Sequence, residues 1–272
     1  TPMKRGQAAL HFMVLPTIVV VLLIHYKPMY GMIIAFKDFD IFRGIWESPW
    51  ASNMGFEHFI DFFNSPSAWR VVRNTLVVAF LKLVFLSFPP VILAILINEI
   101  RVVRFKKLSQ TISYLPHFVS WVVIGGILYN VFGSSGPINR WLLQIGFLQQ
   151  RVDFISSEVF FYPIVVFSHM WKEVGWESIL YLAAIAAIDP NLFEAVEIDG
   201  GGRLTKIIHI IVPHILGTYV ILFIMQCGRI MSGYQNTFDQ LYVLGNVANR
   251  NVSDILDIYT LRVGLENFRY RS

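Results

Sequence analysis

Five stretches of this chain, near residues 8–26, 74–97, 111–133, 159–187 and 213–233, are apolar over, or close to, the length a helix needs to cross a bilayer. Spanning takes about 20 mostly apolar residues, and a helix is favoured because hydrocarbon offers an open backbone no partner. With 55% hydrophobic and 15% charged residues in 272, and a mean hydropathy of +0.57, the chain is too apolar for an ordinary soluble domain. The pattern predicts an all-α, polytopic membrane protein with five spans visible. The fourth run is the least regular, because Lys172, Glu173 and Glu177 interrupt it; it reads either as a broken helix or as a span flanked by an interfacial helix. Pro16, Pro89, Pro90, Pro116 and Pro163 lie in or near spans, where each removes a backbone donor and can bend its helix.

Lys4 and Arg5 precede the first run, as in a signal peptide, but the run is long and no small-x-small cleavage site follows it, so it reads as a span. Basic residues in short loops stay on the cytoplasmic side. Arg101, Arg104, Lys106 and Lys107 crowd one loop, which places residues 98–110 inside, together with the N-terminus and residues 189–212. Residues 27–70, 134–157 and 234 onward then lie outside. Lys27, Lys37, Arg43, Arg70 and Arg73 count against this orientation, but they are spread over a longer loop and mixed with Asp38, Asp40, Glu47, Glu57 and Asp61.

The net charge of +4 comes from residues clustered at membrane boundaries, not from a basic face interleaved with aromatics, which argues against nucleic acid. The single Cys227 permits no internal disulfide and reads as a small packing residue. The sequence contains no phosphate loop, no His-Glu-x-x-His pair and no cysteine cluster for a metal. Gly133-Ser134-Ser135-Gly136 before Pro137 reads as a turn. No catalytic residue, metal site or cofactor is assigned to this chain.

Between the last two apolar runs stands a short helix with strong end signals. Asp189 can accept hydrogen bonds from free amides of the first turn, Pro190 fits the first helical position, and Glu194 lies near the positive end. Gly200, Gly201 and Gly202 then permit the chain to stop and reverse before a second helical run from Leu204. On these grounds alone it could equally be an ordinary interfacial helix linking two spans.

Glu194-Ala195-Val196, then Gly200, Ile210 and Val212-Pro213, resembles the Glu-Ala-Ala loop of the membrane subunits of binding-protein-dependent ABC importers. Val196 replaces the usual alanine and Val212 the commoner leucine. The wider chain resembles the oligosaccharide and polysaccharide-fragment branch of that family, similar to alginate importer permeases, through Pro28-Met29-Tyr30-Gly31, Ala35-Phe36-Lys37-Asp38, Arg73-Asn74-Thr75-Leu76, Asn98-Glu99, Tyr114-Leu115-Pro116 and Asp257-Ile258-Tyr259. The resemblance implies a type I ABC importer transmembrane domain over residues 1–272: a first span and extracytoplasmic loop (1–73), a permease core with a cytoplasmic coupling loop at 189–212 (74–233), and an extracytoplasmic C-terminal segment (234–272). It also implies a sixth, C-terminal span, which is expected to be absent from a sequence ending at Ser272. The loop occurs in importers of amino acids, peptides and inorganic anions too, so a non-sugar solute stays open.

The same resemblance implies an inner-membrane permease, not an enzyme, with a second permease subunit, two ABC ATPase subunits that carry ATP and Mg, an extracytoplasmic solute-binding protein, and membrane lipid around it. Glu194, Ala195, Val196, Asp199, Gly200, Ile210 and Pro213 are the expected ATPase-coupling residues. Candidates for the substrate path are Tyr129, Asn130, Trp171, Glu173, Trp176, Glu177, Gln226 and Arg229. Charge is expensive inside a membrane, yet Glu173, Glu177 and Arg229 read more readily as an internal ion pair or as side chains snorkelling to the interface, the aromatics as interfacial belt residues, and Asn130 and Gln226 equally well as bridges between helices. For an acidic sugar such as alginate, Arg229 offers a paired donor fork to a carboxylate. A membrane scaffold recruiting a cytoplasmic partner is the rival reading, and an intramembrane enzyme would need a convergent catalytic set that the sequence does not display.

Overall fold

The computed structural model describes residues 5–40, 42–230 and 237–263, with side chains from His11 onward. The end assigned to the fifth span at 233, and the place of a sixth span beyond 263, lie outside the described residues. Among the described residues every regular element is a helix, apart from one isolated antiparallel bridge, Lys37 to Trp50. Four helical segments are long and apolar enough to cross a membrane, His11–Phe36, Ala68–Asn98, Trp121–Gln144 and Arg203–Gly228, and the helices Glu158–Ala186 and Pro190–Ile198, bent by 70° to each other, meet the same criteria when taken together. The described chain divides into two compact units, Thr1–Ala68 with Thr260–Ser272, and Trp69–Tyr259.

In the first unit, α1 (Arg5–Val21) continues through a π turn and a 3-10 turn to Phe36. A small lobe follows, organised by Lys37. Its buried ammonium donates to the carbonyls of Ile45 (2.8 Å) and Trp46 (3.1 Å) and lies 5.3 Å from the Trp50 ring centroid. The chain returns past this point through hydrogen bonds from Ala51 to Phe36 and from Asp38 to Pro49, and α2 (Glu57–Asn64) completes the lobe.

The second unit holds α3 (Ala68–Leu86), α4 (Pro89–Asn98), α5 (Val103–Tyr114), α6 (Trp121–Phe132) and α7 (Pro137–Gln144). After these come α8 (Glu158–Ala186), α9 (Pro190–Ile198), α10 (Arg203–Lys206), α11 (Val212–Gly228) and α12 (Thr237–Leu244). The spine is α8. Its 29 residues make a rod about 43 Å long, enough to cross a bilayer by itself. It is unbroken despite Lys172, Glu173 and Pro163, so the irregular fourth run is a continuous span flanked by a short helix, the second of the two sequence readings.

The break lies in the third run instead. There α5 gives way to a 3-10 turn at Leu115–Phe118, and α6 starts afresh at Trp121 with Ser120 as its N-cap. Pro116 has no amide to bond back to the Ile112 carbonyl, while Leu115 before it keeps helical angles (φ −55°, ψ −42°) and the chain first turns extended at Val119 (ψ 132°). The apolar window 111–133 therefore covers two helices. Pro89 and Pro90 sit at the start of α4, where the missing donors cost little.

Against α8 run α11 and then α12, antiparallel to it. Tyr181 and Ile185 pack with Ile211 and Ile215, and nearer the other end Gln240 Nε2 donates to the Val165 carbonyl (2.8 Å) and Ser168 Oγ (2.9 Å). Thr237–Leu244 thus packs beside the N-terminal part of α8, at Phe161, Val165 and Ser168, and against α6. Leu241 and Leu244 join Trp121, Ile124, Phe161 and Val165 in one core cluster. Two glycines allow this density: a Cβ on Gly175 of α8 would lie 1.8 Å from the Ser113 carbonyl oxygen of α5, and one on Gly125 of α6 would lie 2.2 Å from Val243 of α12.

Candidate functional site

The capped corner forms as its residues dictate. Asp189 accepts a hydrogen bond from the Asn191 amide (3.0 Å) and starts α9, with Pro190 at its first position. At the other end the Gly201 amide donates to the Val196 carbonyl (2.8 Å) and the Gly200 amide to that of Glu197 (3.1 Å), the paired bonds of a Schellman stop. Gly200 has φ +76°, and a Cβ on Gly201 would lie 2.4 Å from a Val196 methyl. A left-handed position followed by a tight contact accounts for two of the three glycines. Between α10 and α11 the backbone widens into a π turn, Ile207–Ile211, just before Pro213, whose missing amide would have bonded to the His209 carbonyl.

An ion pair closes the corner, with Lys206 of α10 donating to Glu197 of α9. The Lys206 ammonium, through that hydrogen bond and its charge, holds the exposed Glu197 carboxyl below the usual carboxylate range.

Of the expected coupling residues, Glu194, Ala195, Asp199, Gly200 and Pro213 are exposed. Val196 and Ile210 face the other way: Val196 is half-buried and Ile210 buried, both against the cluster of Ala94, Tyr181 and Ile185. Val196 thus packs within this chain, while its neighbour Ala195 is exposed. Helical geometry separates the two by about 100°, and Val196 falls on the same inward face as Phe193. Large apolar side chains around the corner are exposed, among them Ile198 and Leu204.

Trp176, Glu177, Gln226 and Arg229 come together across α8 and α11, where with Tyr181 and Met225 they line an open cavity of about 420 Å³. The other path candidates are elsewhere. Tyr129 donates to the Leu244 carbonyl (3.3 Å), Asn130 bonds back to the Gly126 carbonyl one turn earlier (2.9 Å), and Trp171 is exposed on α8 away from the cavity walls.

Glu173, one turn from Glu177, turns into a buried polar cluster. His117 Nδ1 donates to Glu173 Oε2 (2.7 Å), and Lys172 Nζ lies 3.8 Å from Glu173 Oε1. Lys172 also donates to the carbonyls of His117 and Val119, the latter at 2.8 Å. These carbonyls are released where α5 ends and α6 has not begun, so the cation of one span satisfies the break in another. His117 stacks on Trp176 with ring centroids 4.4 Å apart and planes 2° from parallel.

The sequence reading named neither His117 nor Lys82 as a site residue. Lys82 lies in the middle of α3, is fully buried, and donates to Thr237 Oγ1 at 2.9 Å. A lysine inside an apolar 19-residue helix was the available signal. His117 gave none, because its importance comes from meeting residues 56 and 59 positions away.

Comparison with known proteins places these features in context. Residues 90–235 match the model of the family described as binding-protein-dependent transport system inner membrane component. The polygalacturonan/rhamnogalacturonan transport system permease protein YteP of Bacillus subtilis (strain 168) is 38% identical over 264 residues, covering 97% of this chain and 80% of that protein. Among solved structures, a chain of a bacterial ABC transporter involved in the import of the acidic polysaccharide alginate aligns with TM-score 0.85 and 36% identity, covering 98% of this chain and 87% of its own. A chain of the bacterial alginate ABC transporter in complex with an alginate pentasaccharide-bound periplasmic protein aligns with TM-score 0.84 and 35% identity, covering 98% and 86%.

Proposed function

Since the chain belongs to the family of binding-protein-dependent transport system inner membrane components, we propose that it is the inner-membrane permease subunit of an ATP-driven importer of an oligosaccharide or polysaccharide fragment. It forms half of the translocation path beside a second permease. An extracytoplasmic binding protein delivers the sugar, and two separate ATPase subunits carry ATP and Mg. The likeness to a polygalacturonan permease and to alginate transporter chains favours an acidic sugar, with Arg229 on the cavity wall as the donor to a uronate carboxylate.

The observation that carries the reading is the exposed corner of α9 and α10, capped at one end and held at a fixed angle by the Schellman stop and the Glu197–Lys206 pair. A rigid element at the end of α8 and the start of α11 transmits displacement to both walls of the cavity. Closure of the ATPases on the corner switches the path between inward and outward access, and the loaded binding protein favours the ATP-closed state. The corner then lies in the cytoplasm with the N-terminus, on the side of Arg101, Arg104, Lys106 and Lys107.

The test is ATP hydrolysis by the importer assembled in liposomes, with and without sugar-loaded binding protein, for the native chain, Glu194→Lys and Gly200→Trp. Stimulation in the native complex and its loss in both variants is the expected result. Undiminished stimulation in the variants removes the corner from the coupling path, and an assembled native complex that no loaded protein stimulates removes transport.

A further inference from the structure

The cavity wall contains an aromatic ring whose back is built up by residues outside the cavity. Trp176 lines the space with Glu177, Gln226 and Arg229, and is 42% exposed. Behind it, His117 lies flat against the indole at 4.4 Å and 2°, and Phe118 meets the indole edge-on at 5.6 Å and 83°. His117 is itself anchored, since its Nδ1–H donates to Glu173 Oε2 at 2.7 Å. Both His117 and Phe118 belong to the short 3-10 turn that separates α5 from α6, and Lys172 fastens that turn by donating to the His117 and Val119 carbonyls.

We infer that His117 is a positioning residue for sugar recognition: it fixes the Trp176 indole as a flat platform on which a pyranose ring of the transported oligosaccharide stacks, beside the carboxylate-binding Arg229. The inference rests on the reading of this cavity as part of the sugar path. An indole free to turn about two torsions must be ordered when a sugar binds, and the conformational freedom lost weakens binding. With His117 on one face and Phe118 on one edge, the orientation is set beforehand and the second face is left to the ligand. The C–H face of a pyranose is an apolar surface that packs on an aromatic plane, while its hydroxyls and carboxylate turn to Gln226, Glu177 and Arg229. The break in the third span thereby acquires a use: a continuous helix would hold its carbonyls in its own ladder and leave Lys172 nothing there to cap.

The experiment measures equilibrium binding of an alginate pentasaccharide, with maltopentaose as the neutral comparison, to the complete importer in nanodiscs. Its ATPase subunits are made hydrolysis-deficient and saturated with ATP. The variants are Trp176→Ala, His117→Asn, which keeps a donor for Glu173 but has no ring, and His117→Phe, which keeps the ring but not the donor. Trp176→Ala and His117→Asn are each expected to weaken pentasaccharide binding about fivefold, the size of one aromatic contact. His117→Phe is expected to stay within about twofold of the native protein. Equal affinity in His117→Asn and the native protein overturns the inference while leaving the cavity reading intact. Equal losses in His117→Asn and His117→Phe, or failure of both to assemble, assign His117 to folding and overturn it as well. Unchanged affinity in Trp176→Ala, or no binding of either sugar by the native complex, removes the cavity from the path and the inference with it.

Discussion

Lys172 Nζ donates to the Val119 carbonyl across 2.8 Å, so the cation that interrupts one apolar run closes the backbone gap of another. Removing it leaves the buried carbonyls of a helix break without their donor and the Glu173 carboxylate, still bonded to His117, without its neighbouring cation. Lys172→Met is expected to cost about 3 kcal/mol or more. The check is the unfolding midpoint of the purified subunit in detergent titrations; a midpoint unchanged from the native one would show that the carbonyls find other partners.

Gly175 and Gly126 provide a matched pair on neighbouring helices. A methyl at Gly175 meets the Ser113 carbonyl oxygen at 1.8 Å, a backbone atom that cannot turn aside, whereas at Gly126 nothing lies within 4 Å. Gly175→Ala is expected to lose about 3 kcal/mol by forcing α5 and α8 apart, and Gly126→Ala to be near neutral. The same denaturation assay decides it, and comparable losses at both positions would contradict the close approach.

Gly200 at φ +76° predicts a ranking instead of a single outcome. Asparagine tolerates the left-handed region and a β-branched residue does not. Gly200→Asn should retain most of the ATPase stimulation by loaded binding protein, and Gly200→Val, strained by about 1–2 kcal/mol, should lose most of it. Equal activity in the two would mean that the corner's backbone geometry does not matter for coupling.

The Glu197–Lys206 pair sets a pH window. Lys206 depresses the carboxyl in the folded chain, so the pair's contribution is present above the ordinary carboxylate range and is lost only as pH falls through the lower folded value. The corner is therefore expected to keep this ion pair throughout neutral and mildly acidic conditions. A carbon-13 titration of the Glu197 carboxyl should place its midpoint below about 4.3, and Lys206→Met should bring it back to the ordinary range. An identical midpoint in both proteins would rule out the pairing in solution.

Much of the molecule was legible before any coordinates. Length and apolarity named the spans, and the Asp189 cap, Pro190 and the three glycines described the corner to within a residue, because these are local effects of backbone geometry. Four of eight proposed path residues, Trp176, Glu177, Gln226 and Arg229, meet in one cavity. The other four lie apart from it because hydropathy says which residues are costly in a membrane but not which way each one faces. Glu173 and Glu177 illustrate the difference: equally conspicuous and one turn apart, one is buried against His117 and the other lines the cavity.

The sequence by itself determined the helical class, the membrane setting and the capped corner, since each depends on composition or on residues a few positions apart. Only the tertiary structure decided that the third run breaks while the fourth does not, that Val196 turns inward, and that Thr237–Leu244 packs along α8. Those outcomes depend on partners brought together from distant parts of the chain: Lys172 with the carbonyls of His117 and Val119, Gly175 with Ser113, Gln240 with Val165 and Ser168. In a bilayer a buried polar group must find its partner within the protein, and which one it finds is settled by how the helices pack.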